Sequence, residues 1–96
     1  MKVRYRELAL ADIEQIFRYL DERSPPGARK VIDAIHAAIA NIADQPLSAR
    51  KTSDPSIRVK IVGRYQYKIF YSIGIDEVEI IHVRHGARRP WFADQE

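Results

Sequence analysis

The chain has 96 residues, of which 46% are hydrophobic and 30% charged, proportions that indicate a folded chain and exclude a disordered one. We expect one domain spanning residues 1–96, too small for a two-domain enzyme with a deep interdomain cleft. The absence of cysteine excludes disulfide bonds, thiolate catalysis and cysteine-ligated metals, and no apolar run is long enough for a secretory signal or a membrane span. The lack of cysteine fits a reducing cytosol, so we expect a cytoplasmic protein, and its net charge is +3.

The first half of the chain has the pattern of one short strand and two helices. Residues 3–6 alternate apolar and polar side chains, which predicts a strand, and an apolar stripe at helical spacing follows over roughly residues 9–23. Ser24 is a good N-cap and Pro25 suits the first helical position, so a second helix is predicted from there to about Asp44. The short connection predicts an antiparallel hairpin. The apolar stripe of the second helix consists of Ala28, Val31, Ile35, Ala38, Ile39 and Ile42.

The second half has the period of two that is typical of strands. Residues 45–56 are rich in Ser, Thr, Asp and Pro and are predicted to form a loop. Residues 57–62, 65–73 and 78–83 then predict three strands of an antiparallel meander, the last apolar enough to be buried on both faces. The whole order predicts an α+β fold, β-α-α-β-β-β, in which the helix hairpin covers one face of a mainly antiparallel sheet.

Alternation along these strands predicts which side chains share a face. We expect one set to pack under the helices: Ile57, Val59, Ile61, Tyr67, Ile69 and Ile73. The opposite, exterior face would then carry the polar set: Arg58, Lys60, Gln66 and Lys68. The prediction is a single cationic surface on the side of the sheet away from the helices.

The net positive charge of the chain comes from its second half. Residues 1–44 carry seven basic and seven acidic side chains, whereas residues 45–73 carry six basic and one acidic. Residues 74–96 are acidic overall, but Arg84, Arg88 and Arg89 are clustered there. A basic surface of this kind is either a solvated face or a site for an anionic partner, nucleic acid or an acidic peptide.

Familiar catalytic and metal-binding motifs are absent from the sequence. There is no nucleophile elbow, phosphate-binding loop, dinucleotide fingerprint or HExxH zinc motif. His36 lies on a helix beside the apolar stripe. His82 and His85 are three apart on a strand, so they point to opposite faces and cannot chelate one metal together. We expect no metal and no cofactor.

One constellation has the residue types that cleave RNA. Attack by a 2′-hydroxyl needs a base, cations that stabilise the phosphorane and an acid for the leaving oxygen. Arginine and lysine suit the phosphate oxygens, and histidine can serve as base or acid. The same cations suit plain binding equally well. The candidate residues are Arg58, Lys60, Lys68, Arg84, His85 and Arg88.

Three stretches, taken with their order and spacing, carry a family resemblance. They are Ala11-Asp12-Ile13-Glu14-Gln15-Ile16 with Tyr19-Leu20, then Gly63-Arg64-Tyr65 with Tyr67-Lys68-Ile69-Phe70-Tyr71, and finally Ile80-Ile81-His82-Val83-Arg84-His85-Gly86-Ala87-Arg88-Arg89-Pro90. With them the chain resembles the RelE/ParE toxins of bacterial type II toxin–antitoxin (plasmid stabilisation) modules over nearly its whole length. That family's fold, a helix hairpin on one sheet face, agrees with the periodicity.

The resemblance implies a toxin that arrests growth and is neutralised by a small antitoxin. The acidic C-terminal segment of such an antitoxin folds as it wraps around the toxin, which gives a hetero-oligomer. We expect the partner to contact the basic residues of the second half and one aromatic residue: Arg50, Lys51, Arg64, Phe70, Arg84 and Arg89.

The resemblance leaves the target open between two activities. RelE-like members cleave mRNA on the ribosome with strand cations and a tail tyrosine or histidine, whereas ParE-like members poison DNA gyrase. Arg58, Lys60, Lys68 and Arg88 fall where RelE-like members carry cations, and His85 could replace the tail tyrosine that this chain lacks. The helix hairpin and the ending at residues 85–89 are more ParE-like. We favour a gyrase poison, with an endoribonuclease and an inactive homologue that only binds its antitoxin as alternatives.

Overall fold

The two predicted helices form and are joined by a short connection. In the computed structural model, which describes residues 1–86, helix α1 spans Glu7–Asp21 and helix α2 spans Pro25–Asp44. The Oγ of Ser24 accepts a hydrogen bond from the N–H of Gly27 at 3.2 Å, as predicted for an N-cap. Helix α1 begins and ends about two residues earlier than the pattern predicts. Among the described residues, no helix is long and apolar enough to cross a membrane.

Five strands form one sheet. They are β1 (Lys2–Tyr5), β2 (Arg50–Lys51), β3 (Arg58–Val62), β4 (Tyr67–Ile73) and β5 (Glu77–His85), arranged in the order β1-β5-β4-β3-β2. Strands β3, β4 and β5 are the predicted antiparallel meander, and β1 pairs with β5 in parallel. The α+β class and the order of the elements are confirmed. Strand β2 is an addition, because it lies within the segment predicted to be a loop.

The main core lies between the helices and one face of the sheet. All six residues of the predicted α2 stripe are buried, and Ile35 and Ile42 are among the largest completely buried side chains. The sheet contributes a matching set to the same cluster: Val62, Tyr67, Ile69, Tyr71, Val78, Ile80 and Val83.

The register between β3 and β4 decides which way the β3 side chains point. Arg58 lies opposite Tyr71, and Lys60 lies opposite Ile69. Residues directly opposite each other in a pair of strands point to the same face, so Arg58 and Lys60 share the face of the buried Tyr71 and Ile69. The prediction that these two cations lie on the exterior face is therefore wrong.

The physical reason is that β3 is apolar on both faces. Val62 joins the main cluster, whereas Val59 packs in a second buried cluster on the other face of the sheet, with Ile57, Phe70 and Ile81. The alternation of apolar and polar residues does not decide which face of such a strand packs against the helices. A shift of one residue in the assignment moves every side chain to the other face.

A bulge explains why β5 is almost continuously apolar. The pairing between β4 and β5 shifts at Phe70/Tyr71, so that Phe70 lies opposite His82 and Tyr71 opposite Ile80, which leaves Ile81 as the extra residue. Ile80 joins the main cluster and Ile81 the second one. The apolar run therefore supplies both faces of the sheet.

Two side chains of the sheet hold the segment that follows α2. The Tyr71 hydroxyl donates to the carbonyl oxygen of Pro46 at 2.5 Å, and Arg58 Nη1 donates to that of Ala49 at 2.8 Å and that of Leu47 at 3.3 Å. We call Arg58, Tyr71 and these three carbonyl groups the loop anchor. Burial raises the pKa of Tyr71 above 10.0, although the nearby Arg58 charge partly opposes this.

The N-cap of α2 gives a direct test of the hairpin. Replacing Ser24 by Ala removes the acceptor for the Gly27 N–H and should lower the free energy of unfolding by about 1 kcal/mol, measured by urea denaturation. Ser24→Asp keeps an acceptor and should retain the stability of the wild type. An equal loss in both variants would contradict the capping role.

The raised pKa of Tyr71 predicts how stability depends on pH. As pH rises above about 10, this tyrosine ionises in the unfolded chain before it ionises in the folded one, so the free energy of unfolding falls. Tyr71→Phe should reduce this alkaline loss and, by leaving the Pro46 carbonyl without its donor, cost about 1–3 kcal/mol at neutral pH. Urea denaturation at pH 7, 10 and 11 measures both effects. The exposed Tyr19→Phe is the control and should leave the free energy of unfolding at pH 7 unchanged.

Candidate functional site

The cations that were predicted to form one surface lie on opposite faces of the sheet. Arg58 is fixed in the loop anchor, and Lys60 Nζ donates to Asn41 Oδ1 of α2 at 3.0 Å. Both lie on the helix side, toward the β2 edge of the sheet. Lys68 pairs with Ile61 and Arg84, which places it on the exterior face. The structure therefore does not bring Arg58 and Lys60 together with Lys68.

His85 lies on the helix side, but two strands away from the β3 cations. In register, Val62, Tyr67 and His85 form one row across the sheet, and the next row is Lys60, Ile69 and Val83. Adjacent strands lie about 4.8 Å apart, so β3 and β5 are separated by about 10 Å. The buried side chains of Tyr67 and Ile69 lie between them.

The two histidines point to opposite faces, as the sequence predicts. His85 packs edge-on against the ring of Tyr67, with the ring centroids 5.0 Å apart. His82 pairs in register with Phe70, and the centroids of their stacked rings lie 6.3 Å apart. The Nδ1 of His82 lies 2.5 Å from Oδ2 of Asp12 on α1. Among residues 1–86 there is no cluster of three side chains that could hold a metal ion.

The residues predicted to contact a partner have different degrees of exposure. Arg50 and Lys51 are exposed on β2, and Arg64 is exposed in the turn between β3 and β4. Phe70 has no exposed surface, because it is enclosed in the second cluster, so the structure gives a partner no access to its side chain. Arg84 is half-buried beside Lys68 in the β4–β5 register. Arg88 and Arg89 lie outside the described residues.

Sequence reasoning missed a groove between α1 and the end of β5. It has a volume of about 610 Å³, and its α1 wall consists of Asp12, Gln15, Ile16 and Tyr19, with Leu20 beside them. Tyr67, Val83, Arg84 and His85 line the sheet side. The spacing i, i+3, i+4, i+7 of the α1 wall is a signal that was available in the sequence.

Asp12 is the residue that ties this wall to the sheet. Its Oδ2 accepts a hydrogen bond from the backbone N–H of Val83 at 2.9 Å and contacts His82 Nδ1. Both side chains are largely buried, at 13% and 14% exposure. One carboxylate therefore fixes α1 against the part of β5 that extends beyond β1.

The loop anchor predicts that Arg58 stabilises the fold. Arg58→Ala removes charge-assisted hydrogen bonds to two carbonyl groups and should lower the free energy of unfolding by about 1–3 kcal/mol in urea denaturation. Lys51→Ala removes an exposed cation from the residue opposite Arg58 and should change stability by less than about 0.5 kcal/mol. Equal stability of the two variants would contradict the anchoring role.

Comparison with known proteins identifies the family. Residues 3–90 match the family described as the ParE toxin of the type II toxin-antitoxin system, parDE. The protein Y4kP of Sinorhizobium fredii is 31% identical over 90 residues, which cover 94% of this chain and 92% of that relative. A solved structure described as the chromosomal ParDE TA system from P. aeruginosa matches with a TM-score of 0.78 and 17% identity, over 88% of this chain and 95% of the other, and shares the fold. The chain therefore belongs to the ParE toxin family of type II toxin–antitoxin systems.

Proposed function

We propose that this chain acts as a toxin by binding DNA gyrase, without catalysing RNA cleavage, and that an antitoxin neutralises it. The observation that carries the proposal is the orientation of Arg58 and Lys60. Both are engaged on the helix side of the sheet, by backbone carbonyl groups and by Asn41. Of the candidate catalytic side chains within residues 1–86, Arg58 and Lys60 are therefore separated from Lys68 on the exterior face.

The chemistry of phosphate cleavage is the reason why this separation supports binding rather than catalysis. A base, an acid and the cations that stabilise the phosphorane must all lie within hydrogen-bond distance of the same reacting group. Lys68 points to the exterior face, whereas His85 points to the helix side behind the ring of Tyr67. Lys60 and His85 lie on the same side, but the buried Tyr67 and Ile69 separate them. This placement of Lys60, Lys68 and His85 in the strand register supports a binding function over phosphate cleavage.

A binding function needs only an accessible surface, and the exposed basic residues provide one. Arg50, Lys51 and Arg64 are exposed in the segment of highest positive charge. Such a surface attracts acidic polypeptides and DNA over several ångströms and speeds their association. This supports an acidic antitoxin as one partner and the gyrase–DNA complex as the target.

The proposal is tested with the purified chain and DNA gyrase. We expect inhibition of supercoiling and accumulation of DNA cleaved by gyrase. Both should disappear when the chain is first mixed with the purified product of the reading frame adjoining its gene, the candidate antitoxin.

Mapping the ends of cellular transcripts tests the alternative, RNA cleavage. Transcript ends mapped during induced growth arrest should show no new cuts within codons. New cuts that leave gyrase activity intact would contradict the proposal and favour the endoribonuclease. Absence of growth arrest would instead favour an inactive homologue that only binds its antitoxin.

A further inference from the structure

The helix hairpin has a cavity of its own, at the end where α1 is joined to α2. Its volume is about 480 Å³, and the described residues that line it all belong to the two helices. Phe17 of α1 supplies an exposed aromatic side chain, with 42% of its surface accessible. Pro25, Pro26 and the half-buried Ile32 of α2 complete the apolar part. We call this the hairpin cavity, and it shares no residue with the groove between α1 and β5.

Three charged side chains also line the hairpin cavity. Asp21 is the last residue of α1, and Arg29 and Asp33 lie one turn apart on α2. Within residues 1–86, no side-chain hydrogen bond or ion pair joins any of the three to another residue. The same spacing on α1 does give an ion pair, between Glu14 and Arg18 at 3.1 Å. The charges of the hairpin cavity are therefore available to a partner.

The signs of these charges limit what the partner can be. Two carboxylates and one guanidinium disfavour an acidic polypeptide, and the guanidinium of Arg29 disfavours a purely basic one. A partner that satisfies both signs must carry an acid opposite Arg29 and a base opposite Asp33. It must also cover the exposed ring of Phe17, because an aromatic side chain in a concave apolar surface is a typical centre of a protein interface.

A second copy of this chain meets these requirements by symmetry. In a two-fold contact the same surface serves both copies, so that each pair of contacting residues occurs twice. Opposite charges one turn apart on a helix are self-complementary in such a contact. When two α2 helices lie antiparallel, Arg29 of each copy faces Asp33 of the other. Phe17 and Ile32 line the same cavity, so the contact that pairs these charges also covers them.

We propose that two copies of this chain associate through the hairpin cavity, with their α2 helices antiparallel. Arg29 of each copy pairs with Asp33 of the other, and Phe17 is buried in the contact. The surface is distinct from the exposed basic residues of β2 and of the β3–β4 turn. The inference therefore concerns assembly and does not depend on the proposed binding of gyrase.

Sedimentation of the purified wild-type chain tests the assembly. We expect the mean mass to rise from that of one chain to that of two as the concentration increases. A mass of one chain at every concentration would overturn the proposal. A mass above that of two chains would also overturn it, because a two-fold contact closes at two copies.

Reversing the two charges separately tests how the helices pair. Arg29→Asp places carboxylates at both positions, and Asp33→Arg places guanidinium groups there. Each variant alone should dimerise at least about tenfold more weakly than the wild type, because like charges then face each other twice. An equimolar mixture restores both opposite pairs and should form a dimer of one chain of each kind. Unchanged dimerisation of either variant alone, or a mixture that fails to dimerise, would contradict the antiparallel pairing.

Helix α1 offers a matched pair of variants for the apolar part of the contact. Phe17→Asp removes the aromatic ring and adds a third carboxylate, so it should weaken dimerisation at least about tenfold. Tyr19→Asp introduces the same charge on the other flank of α1, at a residue with 57% exposure, and should change dimerisation less than about threefold. Equal effects of the two variants would overturn the assignment to the hairpin cavity. Far-ultraviolet circular dichroism and urea denaturation establish that every variant folds.

Discussion

The pairing of β3 with β4 is the constraint on which the functional argument depends. By setting Arg58 opposite Tyr71 and Lys60 opposite Ile69, it turns two cations toward the helices. There they bind the segment after α2 and the side chain of Asn41. The same register gives Val59 and Phe70 to the second buried cluster, so that this part of the sheet buries apolar side chains on both faces. A shift of one residue would expose that cluster and bring the cations to the exterior.

In this small chain, the residues that stabilise the fold differ from those that form the accessible surface. Arg58 and Tyr71 donate hydrogen bonds to the protein's own backbone, so the guanidinium and the hydroxyl stabilise the fold. The accessible surface is then left to other residues, the basic side chains of β2 and of the β3–β4 turn and the wall of α1.

The helical half could be predicted from the sequence because each helix has one apolar stripe and a clear boundary. Ser24 and Pro25 mark the start of α2, and every residue of its predicted stripe is buried. The order of the strands was predicted from the sequence, but the face toward which the β3 side chains point was not. Strand β3 has apolar residues at both Val59 and Val62, and the bulge in β5 reverses the alternation near Ile81. Neither the bulge nor the tie between Asp12 and Val83 has a local sequence signal, because both depend on how distant segments pack.

The most direct measurement is the environment of the Lys60 side chain in the folded protein. Nuclear Overhauser effects in an NMR spectrum report which protons lie within about 5 Å of one another. We expect contacts between the Lys60 side chain and Asn41 of α2. Contacts between the Lys60 side chain and that of Phe70, on the other face of the sheet, would contradict the register and with it the placement of Lys60 on the helix side.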